Sequence, residues 1–414
     1  MSRSDAPTAA AGALSSDQAD RRARAAALAC MVGLAVVLGV GRFAFTPLLP
    51  LMLADGSIGL KAGGWLASAN YAGYFAGAVS CAALRVAPAR MVRFGLAATV
   101  LLTAAMGIGH LLPVWLAVRF VAGVVSAWTF VFVSQWGLRR LAELHAPEWS
   151  GVIYAGPGVG IVLTGLIGSA LAGRPAASGW LGFAALSAVL SVAIWRTFSA
   201  APAQGVPAAG AAPHAAAAAS AAPPGARRHR ADAAWLVVLY GTPGFGYIIT
   251  ATFLPVIARA ALPVGSPWPD LFWPMFGAAL IVGAIAAARL PGHWDNRLLL
   301  AAGCATQALG IAAGIVWPNA LGFSVGSALL GLPFTAITLF AMREARRLHG
   351  ERAAGLMGYA TASYGVGQII GPLVAAPLAA RFGSFSPALW VAVGALLLGA
   401  AGFAATAAKG RLRP

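Results

Sequence analysis

The sequence predicts an all-α membrane protein: twelve transmembrane helices in two pseudo-symmetric six-helix bundles, with both termini on the cytoplasmic side. Three observations predict it. Hydrophobic residues make up 60% of the 414 residues and charged residues only 9%, with a mean hydropathy of +0.80; soluble domains carry about 25% charged residues. The apolar residues gather into twelve runs, each long enough to cross ~30 Å of hydrocarbon as a helix. The basic residues are sided: 22 fall in tails and loops on one face, and only Lys61, Arg174, Arg259 and Arg381 on the other. The positive-inside rule makes the basic face cytoplasmic.

In chain order the runs lie at about 25–54, 62–84, 91–112, 114–137, 150–172, 179–198, 233–259, 268–288, 297–317, 319–342, 352–379 and 385–408. Proline marks several turns between them, at Pro88, Pro113, Pro291 and Pro318. Residues 1–24 are polar and Ala-rich and read as a disordered cytosolic tail; residues 409–414 form a second, short one. Residues 199–231 are Ala/Pro-rich, end in Ala226-Arg227-Arg228-His229-Arg230, and lack the large apolar residues a core needs. They read as a cytoplasmic linker between an N-terminal bundle, 25–198, and a C-terminal bundle, 232–408.

The halves resemble each other. A shift of about 207 places Gly151, Ala155, Gly158, Val159 and Gly160 on Gly358, Ala362, Gly365, Val366 and Gly367. A shift of about 205 places Gly39, Gly41, Leu49 and Pro50 on Gly244, Gly246, Leu254 and Pro255. Related halves around a midplane site are the plan of secondary transporters.

Other classes fit poorly. The net charge of +17 has no basic cluster with interleaved aromatics, so nucleic acid is not an expected partner. Cys30, Cys81 and Cys304 lie in separate apolar runs without CxxC spacing, which points to buried small side chains and not to a metal site or disulfide. Ala27-Leu28-Ala29-Cys30 precedes the long apolar run, where a lipoprotein cysteine would follow a shorter one, so it reads as uncleaved membrane helix. A P-loop is lacking, and neither ATP drive nor any cofactor is expected. A membrane-embedded enzyme would need convergent His, Asp, Glu or Cys at membrane depth, and no such set is visible.

One stretch stands apart, Gly39-Val40-Gly41-Arg42-Phe43-Ala44-Phe45-Thr46-Pro47-Leu48-Leu49-Pro50. It puts an arginine inside the first apolar run, between two glycines and two prolines that loosen the helix. Charge at membrane depth is costly and faces a protein interior or a water-filled cavity. Arg119 is the second such residue. All eleven carboxylates fall in tails or loops by the expected boundaries, so both arginines lack an acidic partner within the membrane. A guanidinium presents a rigid fork of donors suited to carboxylate or phosphate. One reading is that Arg42 and Arg119 hold an anionic or zwitterionic solute; the other is that they bond to backbone carbonyls and organise the bundle.

With these residues, the sequence resembles the major facilitator superfamily and, within it, the YbfB/YjiJ-like branch. The resemblance is carried by the Arg42 stretch, Ala69-Asn70-Tyr71-Ala72-Gly73-Tyr74, Tyr240-Gly241-Thr242-Pro243-Gly244-Phe245-Gly246-Tyr247 and Gly358-Tyr359-Ala360-Thr361-Ala362-Ser363-Tyr364-Gly365-Val366-Gly367-Gln368. Arg119 with Gly123 looks like the superfamily's fourth-helix motif, and Gly151 to Gly160, with Gly156-Pro157, looks like its fifth-helix motif associated with exporters. The superfamily's acidic-basic loop is degenerate: Leu84 stands before Arg85 where an Asp is expected. The resemblance implies the major facilitator fold, alternating access and a monomer in the cytoplasmic, inner membrane of a bacterium.

The resemblance also implies which helices line a central cavity. On them Asn70 and Tyr74 share one face at i, i+4, Tyr364 and Gln368 repeat that spacing, Tyr240 and Tyr247 share a face, and Tyr154 opens the Gly-Pro run. The expected solute site is therefore Arg42, Asn70, Tyr74, Arg119, Tyr154, Tyr247, Tyr364 and Gln368, with interhelical hydrogen bonding the alternative role for each. The expected function is secondary active transport of a small organic solute across the lipid bilayer, export slightly favoured. An uptake symporter of an organic anion, or a non-transporting receptor on the same fold, are the alternatives. Coupling to a proton would fall to Glu148 or Asp232, each at a span's cytoplasmic end. Gly73/Gly77, Gly156/Gly160, Gly310/Gly314, Gly322/Gly326 and Gly367/Gly371 are expected at close helix contacts, and Trp65, Trp115, Trp149, Trp268 and Trp317 as interfacial anchors.

Overall fold

Helix periodicity and length carry through almost unbroken. The computed structural model describes residues 16–198, 226–350 and 353–411, and over these the chain is helical with no strand. The α-helices are α1 (Ser16–Leu34), α2 (Phe45–Ala54), α3 (Leu60–Ser80), α4 (Pro88–Ile108), α5 (Leu112–Glu143), α6 (Ser150–Ala170) and α7 (Ala176–Trp195) in the first half. The second half holds α8 (Ala226–Ala261), α9 (Trp268–Ala288), α10 (Asn296–Val316), α11 (Ala320–Gly331), α12 (Phe334–His349), α13 (Ala353–Phe382) and α14 (Ser386–Arg411). Every expected apolar run corresponds to a helix or to a broken helix pair. Among the described residues, eleven helical stretches are long and apolar enough to cross a membrane. The 21-residue α3, diluted by Lys61, Ser68, Asn70 and Ser80, is not among them.

Two expected boundaries move. Most of the expected tail 1–24 and linker 199–231 lies outside the described residues, but α1 begins at Ser16 and α8 at Ala226. The carboxylates move too. Asp20, Glu143, Asp232 and Glu344 sit on helices and not in tails or loops, because the helices run a turn or two past the apolar segments, and Asp270 lies within the 268–288 run itself, in the first turn of α9. Glu344 is 2% exposed, accepting from Arg347 at 2.6 and 2.8 Å. Arg297 approaches it at 3.7 Å while donating to the Thr406 carbonyl at 2.9 Å, which joins α10, α12 and α14. A shift of 207 puts Arg90 and Arg140 at the places of Arg297 and Arg347 but Pro88 and Gly137 at those of Asp295 and Glu344, so the first half keeps the arginines of this cluster and lacks its carboxylates.

The halves meet where α3 lies against α13, α6 against α9, and α2 against α8. The repeat shift turns α3 into α9 and α6 into α13, so the first two interfaces are one contact used twice. Hydrogen bonds between the halves lie at the level of Arg42 and beyond it toward the α2–α3 end. Arg42 reaches Gln368, Thr46 donates to the Ala251 carbonyl at 3.0 Å, Tyr71 bonds Thr252 at 3.0 Å, and Ser68 donates to the Ile369 carbonyl at 2.8 Å. Toward the opposite end α13 exposes Tyr359 and Thr361.

The small-residue pairs do bring backbones together. A methyl group at Gly73 would sit 1.9 Å from the Phe120 carbonyl oxygen of α5, and one at Gly367 2.5 Å from that of Gly241. All three cysteines are buried and free. Of the tryptophans, Trp65, Trp268 and Trp317 are exposed as interfacial anchors should be. Trp115 is instead buried, since its ring nitrogen donates to the Met106 carbonyl at 3.1 Å and pins α5 to α4.

Substituting Gly73→Ala should force α3 from α5 and lower stability by about 2 kcal/mol. Gly182→Ala, on α7 with nothing within 4 Å of the added methyl, should leave melting unchanged or raise it slightly. Thermal melting of both purified variants in one detergent checks the contrast.

Candidate functional site

The site is built on a break in the first helix. After α1, residues Ala35–Val40 form a π-helical turn, and four turn residues, Gly41 to Ala44, separate it from α2. Local sequence explains the break. Gly39 packs so closely on α6 that a methyl there would lie 2.4 Å from the Gly160 Cα. Pro47 has no N–H to donate to the Phe43 carbonyl, and the Thr46 N–H takes that acceptor at 3.2 Å. The break leaves carbonyls without regular helical partners and carries Arg42 at its centre. π-bulges of this kind recur at functional sites.

The two buried arginines divide the work. Arg119, 2% exposed on α5, donates to the carbonyls of Gly41 at 3.3 Å and Arg42 at 3.2 Å and lies over the Phe45 ring at 4.9 Å. It is a clamp on the broken helix. Asn70 supports it from α3 by donating to the Arg119 carbonyl at 2.9 Å. Arg42, 5% exposed, points into the junction of the halves. Its Nη2 donates to Gln368 Oε1 at 2.9 Å, and its guanidinium lies 4.2 Å from the Tyr74 ring centre, 5.1 Å from Tyr71 and 5.3 Å from Phe43. Among the described residues neither arginine forms an ion pair, and the Nε of each is buried without a partner, as is Asn70 Oδ1.

Gln368 passes the contact on, donating its Nε2 to the Tyr247 hydroxyl. Tyr364 stacks on Tyr247 at 5.8 Å and meets Tyr240 at 4.9 Å. From Tyr247 the ring contacts continue through Phe334, Phe276 and Trp273 back to Phe43 beside Arg42, at centroid distances of 4.9 to 5.9 Å. Trp273 Nε1 is buried on this circuit without a hydrogen-bond partner.

The structure thus gathers Arg42, Tyr74, Tyr247, Tyr364 and Gln368 at one junction. Arg119 and Asn70 stand directly behind it, holding the backbone that presents Arg42. Tyr154 is elsewhere, half-buried against Phe130 with ring centres 6.4 Å apart. The aromatic residues Tyr71, Trp273, Phe276 and Phe334 were not singled out from the sequence. Tyr71 sat inside a quoted motif, whereas the other three are ordinary apolar residues of α9 and α12 with no local signal.

Residues 34–403 match the family model of the uncharacterised MFS-type transporter YbfB. The chain belongs to that family. It is therefore a transporter and not an enzyme. Two solved structures of the nucleoside transporter NupG, one of them a point mutant, are similar in fold. The mutant gives a TM-score of 0.71 at 12% identity, covering 92% of this chain and 99% of its own, and the other gives 0.72 at 11%, covering 93% and 98%. No curated protein matches the sequence.

Replacing Arg119 by Met leaves two carbonyls of this transporter without donors, and hydrogen bonds to a charged group contribute about 1.5–3 kcal/mol each. Arg119→Met should therefore lower thermal stability sharply, whereas Arg42→Gln, which removes one such bond, should lower it much less. Parallel melting curves test the division of labour; equal losses would overturn it.

Proposed function

We propose that this transporter is a secondary carrier that moves a small organic anion or zwitterion across the cytoplasmic membrane by alternating access, with export the favoured direction. One observation carries the reading: a guanidinium buried at the junction of the halves, with its Nε unpartnered and no described carboxylate against it. A buried charge without a counter-charge costs several kcal/mol, and a solute carboxylate or phosphate supplies what is missing. Arg42, Tyr74, Tyr247, Tyr364 and Gln368 would touch the solute, with Arg119 and Asn70 fixing the backbone behind Arg42. Tyr154 would act farther along the path.

In this reading α3 is the twelfth span and both termini are cytoplasmic, which the basic-residue asymmetry supports. The hydrogen bonds between the halves then hold the outer face shut, leaving access from the cytoplasm. Pro157 and Gly158 lie where α6 crosses α9, and a methyl at Gly158 would meet the Gly277 carbonyl at 3.0 Å, so the Gly-Pro run sits where the halves must rock. Export of an anion also has its own driving force. An inside-negative potential expels a monovalent anion with about 2.3 kcal/mol per 100 mV, and this needs no carboxylate at membrane depth.

A thermal-shift screen of anions, sugars, amino acids and cationic drugs against the wild type and Arg42→Gln tests the solute class. A ligand at 100 times its Kd adds about 2.7 kcal/mol, so carboxylates or phosphate esters should stabilise the wild type alone. Equal stabilisation of both proteins by cations or neutral sugars would overturn the anion reading. For direction, anion efflux from right-side-out vesicles should slow when the inside-negative potential is collapsed; indifference to potential would remove that driving force.

A further inference from the structure

The aromatic lining is more extensive than a carboxylate clamp requires. A guanidinium can be held over a single ring, yet three rings lie within 5.3 Å of Arg42. The circuit that starts at Phe43 crosses into the second half and ends on the stacked Tyr247 and Tyr364, whose planes differ by 23°. Three rings of the lining are only half-buried, Tyr74 from α3 on one side of the junction and Phe334 from α12 and Tyr364 from α13 on the other. These are the rings with surface left for a solute. The unpartnered polar atoms of the circuit are both donors, Arg42 Nε and Trp273 Nε1, each buried.

Gln368 shows what fits the guanidinium. Its side-chain amide is flat and offers one oxygen to Arg42, the shape of a carboxylate without the charge. A carboxylate in that place would add the counter-charge and a second acceptor oxygen, and the group attached to it would extend among the tyrosines. Aromatic pairs gain from quadrupole alignment beyond their buried area, and a saturated ring of equal size gains area alone.

We infer that the solute is a planar aromatic carboxylate, its head group on Arg42 and its ring against Tyr74 and Tyr364. This rests on the anion reading of the site and narrows it. The carboxylate makes the charged contact and the flat ring selects among carboxylates.

The test uses three matched probes on the purified full-length protein: 2-naphthoate, its fully saturated counterpart decahydro-2-naphthoate, and the uncharged 2-naphthamide. Calorimetric Kd values are compared for the wild type, Arg42→Gln, Tyr364→Leu, Tyr364→Phe and Tyr74→Leu. 2-Naphthoate should bind about tenfold tighter than the saturated acid. That preference should survive Tyr364→Phe, which keeps the ring, and shrink in Tyr364→Leu and Tyr74→Leu. The amide should bind less well than the acid in the wild type and equally in Arg42→Gln. If the two acids bind equally and both depend on Arg42, the aromatic inference fails while the anion reading stands. If the amide matches the acid in the wild type, or Arg42→Gln binds the acids normally, the anion reading itself fails. Binding by none of the three probes overturns both.

Discussion

The rest of this structure depends on keeping one positive charge in an apolar bundle without a negative charge beside it. Arg42 cannot be neutralised by a carboxylate, because the described carboxylates pair elsewhere or lie at helix ends. Its charge is offset by softer partners: an amide oxygen, the negative faces of three rings, and the donor–acceptor chain beyond Gln368. Cation–π contacts contribute about 0.5–2 kcal/mol each, so together they offset part of the desolvation cost and leave the guanidinium short of partners. A carboxylate in place of Gln368 would satisfy it more fully and, on the proposed reading, leave nothing for a solute to do.

Presenting that charge requires an irregular backbone, and irregular backbone at membrane depth survives only where its polar groups find partners. Arg119 meets this requirement. It donates to the carbonyls of Gly41 and Arg42, and Asn70 accounts for the Arg119 carbonyl in turn. Gly39 and Gly160 let α6 close against the widened turn. One arginine thus makes the break affordable, and the other uses it. The two-fold repeat supplies the setting, since α3–α13 and α6–α9 are one packing solution placed on either side of the junction.

Much of this was legible in the sequence because membrane helices are written in length and hydropathy, and loosened ones in Gly and Pro. The Arg42 break, the glycine contacts and the pairing of related helices follow from such local signals. Arg42, Tyr74, Tyr247, Tyr364 and Gln368 converge as their positions on facing helices suggested. The roles of the two arginines were not legible, since a guanidinium on carbonyls and one turned into the junction of the halves have the same sequence signature. Trp273, Phe276 and Phe334 were invisible for a related reason: in a chain this apolar, an aromatic residue that lines a site looks like one that fills a core. Tyr154 was placed at the site through the helix that carries it, and the rotation of α6 turns it toward Phe130 instead.

The substitute acceptor also bears on how such a carrier can turn over. A carrier that does not exchange one solute for another must return empty, and a bare buried guanidinium would make the empty state expensive. With Gln368 on Arg42 and the Tyr74 ring against it, the empty site is already partly satisfied. In the proposed reading an arriving anion gains only the difference between a charged and a neutral acceptor on the same charged donor. On that reading the difference selects an anion over a neutral solute and stays small enough to let the anion go. A glutamate at position 368 would remove the gain, and an apolar residue there would raise the cost of the empty return. The neutral amide lies between these limits, the compromise that repeated binding and release demand.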